Sequence, residues 1–94
     1  MAKAIWKGQT IAESDDFERV EGNIYFPPDA LDRRYVEESD ETSHCPWKGE
    51  AKYYDIVVDD ERNPGAAWYY PAPKPKASHI EGHVAFWRGV EVEE

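Results

Sequence analysis

Three kinds of residue are scarce in this chain, and each scarcity excludes something. There is one cysteine, Cys45, so no internal disulfide can form. The Cys-x-x-Cys spacing of thiolate zinc sites is missing with it. There is one leucine, Leu31, against five isoleucines and seven valines. Leucine favours helices, whereas β-branched side chains lose rotamer freedom there and pack well on pleated sheets. Basic residues are outnumbered: 11 Lys and Arg face 20 Asp and Glu, a formal net charge of −9. Such a surface repels phosphate backbones and anionic lipid, which argues against nucleic-acid and membrane partners. No apolar run approaches the length of a membrane span. The first residues, Met1-Ala-Lys-Ala-Ile-Trp6, do not read as a secretory signal. A reducing cytoplasm is the expected compartment.

What the chain has in quantity is aromatic: four Trp, six Tyr and three Phe in 94 residues. With the β-branched excess, this predicts an all-β or mostly β domain spanning residues 1–94. Ala4-Ile5-Trp6 and Thr10-Ile11-Ala12 flank Lys7-Gly8-Gln9 as a hairpin. Phe17–Val20 and Ile24–Phe26 read as short strands around Gly22-Asn23, the second stopped by Pro27-Pro28. Asp29 is placed to cap one helical turn over Ala30–Arg33. Ala51–Asp59 is apolar or aromatic on both faces and is expected to be central. Asn63-Pro64-Gly65 reads as a turn before a strand at Ala66–Tyr70. Lys76–Glu81 reads as a short helix ended by Gly82, and Val84–Trp87 with Val90–Val92 as a terminal hairpin. Strands this short, with turns every eight to twelve residues, predict a small barrel-like or folded-over antiparallel sheet with one or two short helical turns.

The segment Thr42–Tyr54 concentrates the chemistry. It combines Cys45, the stiffening Pro46, the cation Lys48, the turn residue Gly49 and the start of the aromatic strand. Lys48 is the candidate anchor for a small anionic or carbonyl-bearing ligand, its stem enclosed and its ammonium facing a cleft. Tyr25, Trp47, Tyr54, Trp68 and Tyr70 are the candidate wall, since Trp and Tyr join an apolar body to one polar handle. Glu21, beside Gly22-Asn23, is either an acid facing this region or a plain turn residue. Cys45 is either an inert buried thiol or a nucleophile lowered in pKa by its neighbours.

Four blocks together carry a resemblance: Val20-Glu-Gly-Asn-Ile-Tyr-Phe-Pro27, Ser43-His-Cys-Pro-Trp-Lys-Gly49, Ala67-Trp-Tyr-Tyr-Pro-Ala-Pro73 and Ile80-Glu-Gly-His-Val-Ala-Phe-Trp87. They resemble the small bacterial domain-of-unknown-function 427 family. The resemblance implies a small all-β domain, similar to the tent-like sheets of zinc-carrying chaperone-like modules, and no established activity. The family is sometimes labelled nucleotidyltransferase-like. Nucleotidyl transfer needs carboxylates holding Mg²⁺ against a triphosphate. The Asp-x-Glu pairs here, Asp16/Glu18 and Asp59/Glu61, do not follow a Gly-Ser or Gly-Gly turn. A P-loop and a dinucleotide-binding glycine motif are absent. For zinc, Cys45 with His44, His79 and His83 supplies too little sulfur and poor spacing, so no metal or other cofactor is expected.

The leading expectation is therefore a small-molecule or peptide binding module with an aromatic-lined cleft near Cys45 and Lys48. The alternative is an enzyme using Cys45 as nucleophile, with Glu21 or a tyrosine carrying the proton. A third class is an assembly protein whose exposed aromatics form a homodimer face. A monomer or weak homodimer is the expected state.

Overall fold

A computed structural model describes all residues 1–94. It is mostly β. Nine strands run in order: β1 Ala2–Trp6, β2 Gln9–Ser14, β3 Glu18–Val20, β4 Asn23–Tyr25, β5 Val36–Cys45, β6 Gly49–Val58, β7 Glu61–Tyr69, β8 Val84–Phe86 and β9 Glu91–Glu93. They form three antiparallel sheets, ordered β2-β1-β9, β3-β4 and β5-β6-β7-β8. The sheets fold over one another without closing into a barrel. The only helical segments are 3-10 turns at Pro28–Ala30, Arg33–Tyr35 and Pro75–Ile80. No helix is long and apolar enough to cross a membrane.

The hairpin β1–β2 forms where the glycine signal places it, with Lys7 and Gly8 both at positive φ. This is the turn geometry whose twist matches paired strands. The hairpin β3–β4 uses the same device at Glu21-Gly22, with φ of 54° and 81°. Phe26 and Val84 then exchange two backbone hydrogen bonds of 2.8 Å, which tie that hairpin to the β8 edge of the four-stranded sheet. As expected, β6 is central, paired with β5 on one side and β7 on the other.

Alternation along the central strands sorts the core into two layers. Tyr54, Ile56 and Val58 of β6, Val84 and Phe86 of β8, and Ile24 with Phe26 point to one side. There they meet Ala2, Ala4, Ile11 and Ala12 of the β1–β2 hairpin, forming the larger core. Ala51 and Tyr53 of β6, Tyr25 of β4 and Ala85 of β8 point to the other side. That second face is covered only in part, by Ala77 and Ile80 of the 3-10 segment and by Tyr70.

Four local expectations are corrected. Asn63-Pro64-Gly65 does not turn the chain. It is a bulge inside β7, and the reversal lies at Asp59-Asp60, both at positive φ. The bulge suits these residues because proline cannot donate to the ladder and Gly65 takes φ of 60°. The C-terminal strands make no hairpin: β8 pairs with β7, and β9 crosses to pair with β1. The capping acid is Asp32, which accepts a hydrogen bond from the Arg34 N–H, and not Asp29. Tyr35-Val36-Glu37 reads as a short strand from the sequence alone, but the strand there, β5, runs for ten residues and takes in the acidic run Glu37–Glu41.

Candidate functional site

The open part of the second face is a cleft of about 330 Å³ lined by Asn23, Lys48, Tyr53, Trp68, Tyr70 and Trp87. Its floor is the outward row of the four-stranded sheet. Trp68 and Trp87 meet edge to face, with ring centroids 5.5 Å apart. Tyr53 lies tilted against Trp87 at 6.4 Å. Both indoles spend their N–H groups on the scaffold. Trp68 Nε1 donates to the Tyr25 hydroxyl at 3.1 Å, and Trp87 Nε1 donates to the Gly65 carbonyl at 2.7 Å. The walls therefore offer ring faces and few donors.

Lys48 supplies the cleft's charge. It ends the turn Pro46-Trp47-Lys48 between β5 and β6, just before Gly49 at φ 112°. The extended segment from Pro71 to Pro75 lies across this turn. Lys74 N donates to the Lys48 carbonyl at 2.9 Å, and Lys74 Nζ donates to the Pro46 carbonyl at 2.6 Å. The absent Cβ of Gly49 would meet the Ala72–Lys74 backbone at 3.6–3.7 Å, so the crossing segment comes close there. Lys48 is thereby only 7% exposed, the one buried charged residue of the protein.

Burying an ammonium costs free energy unless it finds partners. Lys48 Nζ donates to the Glu21 carboxylate and lies 5.4 Å from the Trp47 ring and 5.5 Å from the Tyr70 ring. Desolvation alone pulls its pKa down; the hydrogen bond to Glu21, helped by the Tyr25 and Tyr70 hydroxyls, outweighs this and the net shift is upward. The same hydrogen bond holds the Glu21 carboxyl below its ordinary value, against the upward pull of its partial desolvation. Burial raises the Tyr70 hydroxyl, opposed by the Lys48 charge.

The structure brings together Lys48, Trp68 and Tyr70 in the cleft lining, with Glu21 on Lys48 and Trp47 half-exposed beside it. Tyr25 is fully buried behind Trp68 and supports the wall from below. Tyr54 is not part of the site. Its odd-numbered neighbour Tyr53 takes the cleft face, while Tyr54 points into the larger core, stacked on Tyr69 at 4.6 Å and bonded to Arg33. Cys45, at the end of β5, is half-buried against the second core and does not line the cleft. Sequence reasoning missed Asn23, Tyr53 and Trp87. Tyr53 had a signal in the alternation along β6, but with both faces apolar the parity was ambiguous.

The acids and histidines weighed for metal chemistry are dispersed. Asp59 lies in the β6–β7 turn and Asp16 in the loop before β3, while His83 Nδ1 lies 3.1 Å from the Glu81 carbonyl. No three His, Cys, Asp or Glu side chains converge. Two other hollows, of about 380 and 410 Å³, are edged by Glu13, Asp29 and Asp32 and by the Arg19–Glu94 pair; neither holds a buried charge.

Fold and site define a small folded-over β module with one aromatic cleft set around a buried, paired lysine. The chain belongs to the family described as Domain of unknown function (DUF427), whose profile matches residues 1–94. The search of curated proteins finds no match.

Proposed function

We propose that this protein is a cytoplasmic binding module whose cleft takes a small ligand with a flat body and a carbonyl or anionic end. The observation that carries the reading is one cleft lined by the aromatic side chains Tyr53, Trp68, Tyr70 and Trp87 together with Lys48, whose ammonium lies 5.5 Å from the Tyr70 ring. Stacking surfaces and one charged donor are what such a ligand requires. The volume, about 330 Å³, lies at the lower end of the ~300–1,000 Å³ usual for ligand pockets, which suits a compact molecule. Nucleotidyl transfer draws no support from the dispersed carboxylates, and a Cys45-dependent reaction draws none from a thiol outside the cleft lining.

The test is a titration followed on the indole N–H resonances, using 2-naphthoate and the neutral 2-naphthamide as probes. Trp68 and Trp87 should shift saturably, while Trp6, on β1, stays still. Shifts absent from both cleft tryptophans would overturn the assignment.

A further inference from the structure

We propose that Glu21 is a built-in competitor for the anion position, and that the cleft's ligand is an aromatic carboxylate that displaces it. This rests on the binding reading above. Lys48 is both a cleft-lining residue and the partner of a carboxylate from the same chain. Its ammonium is therefore already engaged by a carboxylate, which Glu21 supplies from outside the cleft lining.

Three features make Glu21 displaceable. Its side chain is 53% exposed, so the released carboxylate returns to water. It sits at the tip of a two-residue turn, and around Gly22 nothing lies within 4 Å of where a Cβ would stand. Glu21 itself occupies the left-handed region, at φ 54°, where Asn or Gly is favoured over Glu. The turn chemistry thus gives no reason for a glutamate here, whereas the buried ammonium does.

The exchange preserves charge balance. Lys48, 7% exposed, needs an anion whether the cleft is empty or filled. A ligand carboxylate replaces the Glu21 carboxylate one for one and adds what Glu21 lacks, a ring to lie against Trp68 and Trp87. With both indole N–H groups already engaged, the walls select a flat apolar body over a polar one. A neutral analogue gains the ring contacts but cannot displace Glu21. Only a ligand with both features therefore displaces Glu21, while a neutral ring binds beside the intact Lys48–Glu21 pair.

The experiment compares dissociation constants of 2-naphthoate and 2-naphthamide for wild type, Glu21→Gln, Glu21→Asn and Glu93→Gln. Glu21→Gln removes the charge at constant shape. Glu21→Asn removes it with a residue the turn prefers, so folding is protected. Glu93→Gln makes the same change in net charge on β9, in another sheet. Naphthoate should bind both Glu21 variants several-fold more tightly than wild type or Glu93→Gln, and naphthamide should bind all four alike. Equal naphthoate affinity in wild type and the Glu21 variants, with Trp68 and Trp87 still shifting, overturns the competitor role and leaves the cleft standing. No shift of either indole with either probe overturns the cleft reading, and the competitor role falls with it.

Discussion

Replacing Lys48 separates what its stem does from what its charge does. Methionine keeps the length and apolar body of the side chain and loses the ammonium. The losses are the contacts to the Trp47 and Tyr70 rings, roughly 0.5–1 kcal/mol for the half-exposed Trp47 and up to ~2 kcal/mol for the buried Tyr70. The ion pair adds little, because solvent screens its half-exposed Glu21 partner. Against this stands relief of the ammonium's desolvation, which offsets the larger part. The upward pKa of Lys48 says the charge is on balance favoured in the fold, so the sign is a loss. Breaking a buried ion pair is expensive when a charge is stranded in the interior. Here the stranded group is Glu21, which hydrates freely. Lys48→Met should therefore cost no more than about 1 kcal/mol, a fall in Tm of roughly 4–8 °C for a domain of this size. Lys48→Ala also discards about three buried methylenes at ~0.8 kcal/mol each and should cost roughly 2–3 kcal/mol more. Urea denaturation followed by tryptophan fluorescence and circular dichroism measures both. Equal losses in the two variants would refute burial of the stem, and an unfolded Lys48→Met would refute the free hydration of Glu21.

Tyr25→Phe removes the acceptor of the Trp68 indole and should cost about 1–2 kcal/mol, with a displaced Trp68 N–H resonance. An unmoved resonance would show the hydroxyl to be idle. Glu21 and Asp32 both titrate below their ordinary values, through the side-chain hydrogen bonds from Lys48 and Arg34 respectively. Their contribution is present above the unfolded-state pKa values, near 4.5 and 3.8, and is lost as pH falls through the lower folded values. The acid limb of a stability–pH curve should flatten in Glu21→Gln/Asp32→Asn, and a limb as steep as wild type would contradict the linkage. Gly65→Ala places a Cβ at φ 60° against the Glu41 carboxylate and within 2.6 Å of Arg88 Nη1. It should cost about 2 kcal/mol from the left-handed backbone and the displaced pair and change Trp87 emission; emission identical to wild type would separate the bulge from the cleft.

Local signals in the sequence located the elements whose causes are local. The Lys7-Gly8 hairpin and the positive φ of Gly82 follow from glycine's freedom at single positions. The central place of β6 follows from apolar side chains on both faces. What escaped depends on partners distant in sequence. The run Glu37–Glu41 reads equally as a solvated strand edge or a loop until β7 and the chain's end supply answers. Arg62 bonds Glu37, the Tyr69 hydroxyl bonds Glu38, and Arg88 pairs with Glu41. Those pairings let an acidic segment run as an edge strand, where charge also discourages pairing with other chains. Likewise nothing near Val90 announces that β9 will leave β8 and join β1.

The candidate site divides along the same line, and the bulge in β7 shows why. Asn63-Pro64-Gly65 is a genuine breaker signal, but the break is absorbed inside a strand. Asp55, opposite it on β6, accepts the Gly65 N–H at 2.8 Å and holds the bulged backbone. The Gly65 carbonyl is then turned to accept from Trp87, and the Asn63 amide donates to the Arg88 carbonyl at 2.8 Å. Arg88 in turn lies over the Trp87 ring at 4.3 Å and donates to the Pro64 carbonyl at 3.1 Å. One irregularity thus seats the C-terminal tryptophan on the outer face, beside Trp68 and Tyr53. Lys48, Trp68 and Tyr70 were visible because their blocks carry dense, recognisable chemistry. Trp87 was not, because its place depends on a carbonyl 22 residues away whose direction is set by a glycine that reads as a turn.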